Sequence, residues 1–133
     1  MNYDNPKPTV DILVEENGKI ILVKRGNEPF KGKLAIPGGF VEFGETVENA
    51  AKREMKEETN LFVKLKSLFG VYSDPDRDPR DHTISTVFVA EIVEGEIKGG
   101  SDAKEAMWVD LDDIIEENMA FDHFKIIQDY INS

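Results

Sequence analysis

Residues 46–60 constrain what this chain can fold into more than any other stretch. Their Ala, Glu, Lys, Arg and Met favour helix, Thr46 supplies an N-cap, and Asn60 can end the helix in the left-handed conformation. The run predicts a helix over residues 47–59. Val47, Ala51 and Met55 recur at i, i+4 and i+8, an apolar stripe that should face the core. At 100° per residue, Glu58 falls about 20° and Glu54 about 60° from the centre of that stripe, whereas Arg53, Asn49 and Lys56 point away. Two acids therefore sit beside a buried face. As a like-charge i, i+4 pair they cost roughly 0.2–0.5 kcal/mol even when exposed, so something positive should compensate them. A Glu-rich run is ordinarily a solvated helix face, but the phase argues against that here. Glu57 adds a third carboxylate. With no cysteine and only two histidines in the chain, a metal would be held mainly by oxygen, which selects Mg²⁺ or Mn²⁺ over zinc.

Around this helix the pattern is mostly strand. Residues 9–14 and 19–24 are β-rich and joined by Glu16-Asn17-Gly18, whose Asn-Gly pair suits a tight hairpin. Residues 34–36 read as a short strand ended by Pro37-Gly38-Gly39, and residues 40–43 as another. The two glycines let backbone approach an ion or phosphate closely, although an ordinary turn needs no more. Residues 63–72, 83–93 and 106–109 are further strands, 111–117 a short helix, and 122–131 an amphipathic helix with Phe124, Ile127 and Ile131 on one side. Strands, helix, strands, helix predicts a mixed α/β sandwich in one domain spanning residues 1–133.

Charge narrows the partners. Sixteen Lys and Arg against 27 Asp and Glu give a net charge of −11, which repels a bare phosphate backbone, so nucleic acid is not expected. No apolar run approaches a membrane span and the start is too polar for a signal peptide, so a soluble, cytoplasmic protein with no membrane partner is expected.

Gly39, five residues, Glu45, seven residues, then Arg53-Glu54-Met55-Lys56-Glu57-Glu58-Thr59-Asn60-Leu61 closely resemble the signature of the Nudix hydrolases. Eight of its nine constrained positions match; Asn60 stands where the pattern has glycine and is the next most tolerant residue for a left-handed position. The resemblance implies a Nudix-type α/β/α sandwich with a central mixed sheet and the box at residues 39–61. It further implies hydrolysis of a nucleoside diphosphate linked to another moiety, with Mg²⁺, or Mn²⁺, as cofactor. By position, Glu54 and Glu58 would be the principal metal ligands, Glu57 a further ligand or water-activating acid, and the Gly38 carbonyl a backbone ligand. Arg53 and Glu45 would form an ion pair orienting the loop against the helix.

A narrower resemblance lies outside the box. Glu42, Pro75, the run from Tyr72 to Arg80 and then His82-Thr83 look like the ADP-ribose pyrophosphatase branch, with Asp81 replacing a glycine common there. Phe121-Asp122-His123 resembles a segment of that branch and of related regulators, although core packing accounts equally for Phe121 and exposure for His123. The loop is stiffened by Pro75 and Pro79 and could hold Arg77 and Arg80 near a phosphate or sugar. Because Nudix enzymes often recruit a loop glutamate, Glu105 is the first candidate for general base, ahead of Asp102 and His82. The expected activity is hydrolysis of ADP-ribose to AMP and ribose 5-phosphate. Alternatives are a broader Nudix pyrophosphatase acting on nucleoside triphosphates and, in another class, a non-catalytic ADP-ribose sensor. Enzymes of this branch often dimerise, so a homodimer is a further expectation.

Overall fold

The computed structural model describes residues 4–98 and 103–133. Its strands are β1 (Lys7–Leu13), β2 (Glu15–Glu16), β3 (Lys19–Arg25), β4 (Leu34–Ala35), β5 (Gly38–Phe40), β6 (Phe62–Tyr72), β7 (Thr83–Glu94) and β8 (Ala103–Asp110). The helices are α1 (Val47–Thr59) and α2 (His123–Ile131). Strands β5-β1-β7-β6 form one four-stranded sheet. It is mixed, because β1 runs parallel to β7 and antiparallel to β5. A second, antiparallel sheet is built on β3, which pairs with β2 and β4 and also with β8.

Period-2 alternation divides the side chains between two cores. Val10, Ile12, Ile21 and Phe88 pack with Ala50, Ala51 and Met55 of α1, whereas Leu13, Ile20, Leu22 and Val87 pack with Ile126 and Ile127 of α2. Each helix thus has its own core, and the sheets lie between them. Burial on both sides explains why β3 carries an unbroken apolar run from Ile20 to Val23 rather than alternating.

The caps of α1 follow the sequence. Thr46 Oγ1 accepts from Asn49 N at 3.1 Å, and Asn60 takes φ 65° while its N–H donates to the Lys56 carbonyl. Elsewhere the structure corrects the local reading. Asn17 and Gly18 both have positive φ, at 54° and 78°, but the turn joins only the short β2 to β3. Strand β1 pairs into the other sheet instead, between β5 and β7, where Thr9 to Leu13 are all buried. Residues 40–43 contribute only Phe40 to β5, and residues 111–117 form two single 3-10 turns, Leu111–Asp113 and Glu116–Asn118, in place of a helix. No helix among the described residues is long and apolar enough to cross a membrane.

Candidate active site

Strand β5 lies directly against α1, and its glycines are required by that approach. A Cβ on Gly39 would sit 2.6 Å from the Glu54 carboxylate carbon, and one on Gly38 would collide with the Val10 carbonyl oxygen. Gly38 N–H donates to Glu58 Oε2 at 3.2 Å. Above this contact opens a cleft of about 480 Å³ lined by Gly38, Gly39, Arg53, Glu54, Glu57 and Glu58, together with Arg25, Phe40 and Arg80. A narrower inner part of about 70 Å³ continues past Glu58 to Thr9, Asp11, Phe121 and His123.

The positive charge that the helical phase called for is Arg53. Its Nε and Nη2 fork onto Glu45 at 2.7 and 2.9 Å, and its Nη1 reaches Glu54 at 2.7 Å and Glu57 at 3.2 Å. A further bond from Nη2 to the Phe40 carbonyl ties the helix to the end of β5. Although Arg53 leaves the helix on the side away from the core, its long side chain runs back along the axis to the acids. Its hydrogen bonds pull the Glu45 carboxyl down to about 2, and burial followed by the neighbouring Glu54 pushes Glu58 up to about 8. Glu54 is raised as well, by burial first.

Among the described residues, no three acid or histidine side chains converge as a closed cage. That suits Mg²⁺ or Mn²⁺, which bind through one or two carboxylates and fill the remaining positions with waters and phosphate oxygens. Two oxygen donors whose anionic forms are disfavoured by burial are a chemical fit for such a cation.

The loop at residues 73–82 departs from expectation. The Arg77 side chain is only 4% exposed, and although it lines the inner part of the cleft its guanidinium is taken up by protein groups. Its guanidinium forks onto Asp122 at 2.9 and 2.8 Å and donates to Thr83 Oγ1 at 2.7 Å, since a buried cation must be paired. Arg80 does reach the cleft, bonded to Asp78 and standing 5.3 Å from the Phe40 ring centre and 5.5 Å from that of Phe121. Pro75 is exposed and belongs to neither part of the cleft. His82 Nε2 lies 3.0 Å from the Ser73 carbonyl, closing the neck of the loop.

Glu105 is not a loop residue. It lies within β8 opposite Lys24 and lines a separate cavity with Leu34 and Met107, because β8 already begins at Ala103. Asp102 lies outside the described residues. His123 is buried rather than exposed: its Nδ1 accepts from Ile36 N at 3.0 Å and its Nε2 is 3.5 Å from Asp11 Oδ1. Burial lowers the imidazole to about 3 and raises Asp11, which accepts from Ser85 Oγ at 2.5 Å, to about 7. Thr9 Oγ1 at the same inner end is buried without a hydrogen-bond partner among the described residues. Asp11, Arg25 and Thr9 were missed from the sequence; a carboxylate between Val10 and Ile12 in a strand was the available signal.

A family model of the NUDIX domain matches residues 5–130. The chain belongs to the Nudix family. As a Nudix hydrolase, it is 57% identical over 129 residues to an ADP-ribose pyrophosphatase of Methanocaldococcus jannaschii, across 97% of this chain and 75% of that protein. Among solved structures, a MutT/nudix family protein from Enterococcus faecalis superposes with a TM-score of 0.86 at 30% identity, over 99% of this chain and 63% of the other. A bifunctional NMN adenylyltransferase/ADP ribose pyrophosphatase from Francisella tularensis, complexed with AMP and an Mn ion, gives 0.84 at 32% identity. There the match covers 99% of this chain but 43% of that one, so the Nudix chain corresponds to less than half of the bifunctional protein.

Proposed function

We propose that this Nudix domain hydrolyses ADP-ribose and water to AMP and ribose 5-phosphate. The observation that carries the reading is the 57% identity to an ADP-ribose pyrophosphatase, over a match that spans both the box and the 73–82 loop because it covers 97% of the chain. The cleft supports it: three glutamates on α1 and three arginines, Arg25, Arg53 and Arg80, line one space.

Glu54 and Glu58 would be the principal ligands of the divalent cation, Mg²⁺ or Mn²⁺, with Glu57 beside them. The Gly38 amide is committed to Glu58, so its carbonyl is the group it would offer. When bound, the cation neutralises diphosphate charge and lowers the pKa of an attacking water. Arg53 holds Glu54 and Glu57 in place and anchors them through Glu45 to the loop before the helix. Arg80 offers a guanidinium to a phosphate. Glu57, the most exposed of the three glutamates, would take the proton released by the attacking water.

A substrate panel under one metal condition tests the reading. The kcat/KM for ADP-ribose should exceed that for ATP or GTP by at least about tenfold, equivalent to roughly 1.4 kcal/mol. Triphosphates that match ADP-ribose would leave only a broader Nudix pyrophosphatase.

A further inference from the structure

Beside the glutamate cleft lies a second cavity, of about 440 Å³, whose wall includes Phe30, Tyr72, Pro79 and Phe121. Phe121 separates the two spaces, since it lines both. We propose that this second cavity is the subsite for the purine base of the nucleotide half of the substrate. The inference rests on the reading of the chain as a nucleoside-diphosphate hydrolase and names where the uncharged end of that substrate goes.

Three observations carry it. First, the volume is that of a small-molecule pocket, and aromatic side chains on its wall give a flat base faces or edges to pack against. Second, Phe30 and Phe121 meet edge to face at 4.9 Å between ring centres, and both hold positive φ, at 62° and 53°. Bulky residues adopt that conformation only at a cost, and it persists where the surroundings enforce it. Here it places two rings against each other at the boundary between the cavities.

Third, the polar part of the wall carries three carboxylates, Asp74, Asp76 and Asp122, and two cations that already have acidic partners, Arg77 on Asp122 and Lys125 on Asp129. The Asp76 carboxylate makes no hydrogen bond or ion pair among the described residues, whereas Asp74 caps the Asp76 N–H at 2.8 Å. Asp74 and Asp76, the carboxylates there with no cation on them among the described residues, disfavour a phosphate group. They favour an amino group such as the exocyclic amine of adenine, and an oxo group at that position would face them as a second acceptor. The phosphates are left to the neighbouring cleft with Arg25 and Arg80.

Titration calorimetry of the whole chain with AMP, IMP and ribose 5-phosphate tests the assignment, with melting curves as the check on folding. Phe30→Leu should weaken AMP about tenfold, the scale of one base–aromatic stack, and leave ribose 5-phosphate unchanged. Asp76→Asn alters only an exposed loop side chain and should narrow the preference for AMP over IMP, a ratio that a purely structural role would not move. The proposal is overturned if both variants bind AMP like the parent chain, or if Phe30→Leu weakens ribose 5-phosphate instead. A parent chain that hydrolyses ADP-ribose while its variants are indifferent removes the subsite alone. A parent chain that neither binds AMP nor hydrolyses ADP-ribose removes the function reading as well.

Discussion

Glu58 occupies a position where stability and chemistry pull apart. Its carboxylate is pressed toward the core beside Glu54, and burial raises it to about 8, so its charged form is held at a cost until a cation shares it. Glu58→Gln should therefore lower kcat about a hundredfold while the melting temperature stays level or rises. Near-normal turnover by the folded variant at saturating Mg²⁺ would remove Glu58 from the metal site. His123 gives a second test at this scale. Its folded value, about 3, lies below the ordinary 6.5, so the unfolded chain binds the extra proton first. Its contribution is fully present above pH 6.5 and is lost as pH falls towards 3. Asp11, raised to about 7, slopes the opposite way between 3.8 and 7, so the parent curve alone is uninformative and the difference from His123→Gln isolates the imidazole. On going from pH 7 to pH 5, the parent chain should lose about 2 kcal/mol more than His123→Gln in urea unfolding. Equal losses would mean that the imidazole protonates in place.

At the scale of elements, two arginines join what the sequence keeps apart. Arg53 ties α1 to Glu45, the pair the box resemblance implied, and also to the end of β5. Arg77 joins the 73–82 loop to Asp122 at the start of α2, and so fixes Arg80 on one segment relative to Phe121 on the other. Both partners are largely shielded from water, so removing one strands a charge. Arg77→Met should destabilise the fold by about 3 kcal/mol or more, and adding Asp122→Leu should restore part of the loss. Because the loop then loses its anchor, KM for ADP-ribose should rise more than kcat falls. A melting curve of the single variant that overlays the parent's would show the clasp to be dispensable.

At the scale of the whole molecule, a net charge of −11 on 133 residues works against compaction. Added KCl screens that self-repulsion, so the melting temperature at neutral pH should rise between low and moderate salt. A fall would mean that local ion pairs such as those of Arg53 and Arg80 outweigh it. What the chain determines by itself is what depends on neighbours along it. The helix caps at Thr46 and Asn60, the phase of Glu54 and Glu58 against Met55, and the box spacing were all legible, because helical geometry is set within a turn or two. What tertiary structure decided depends on residues distant in sequence. That β1 leaves its hairpin for β7, that Glu105 joins β8 outside the cleft, and that the seemingly available Arg77 is spent on Asp122 are outcomes of long-range pairing. Strand partners and buried ion pairs carry no local signature, because the free energy that selects them comes from surfaces brought together only when the sheets close.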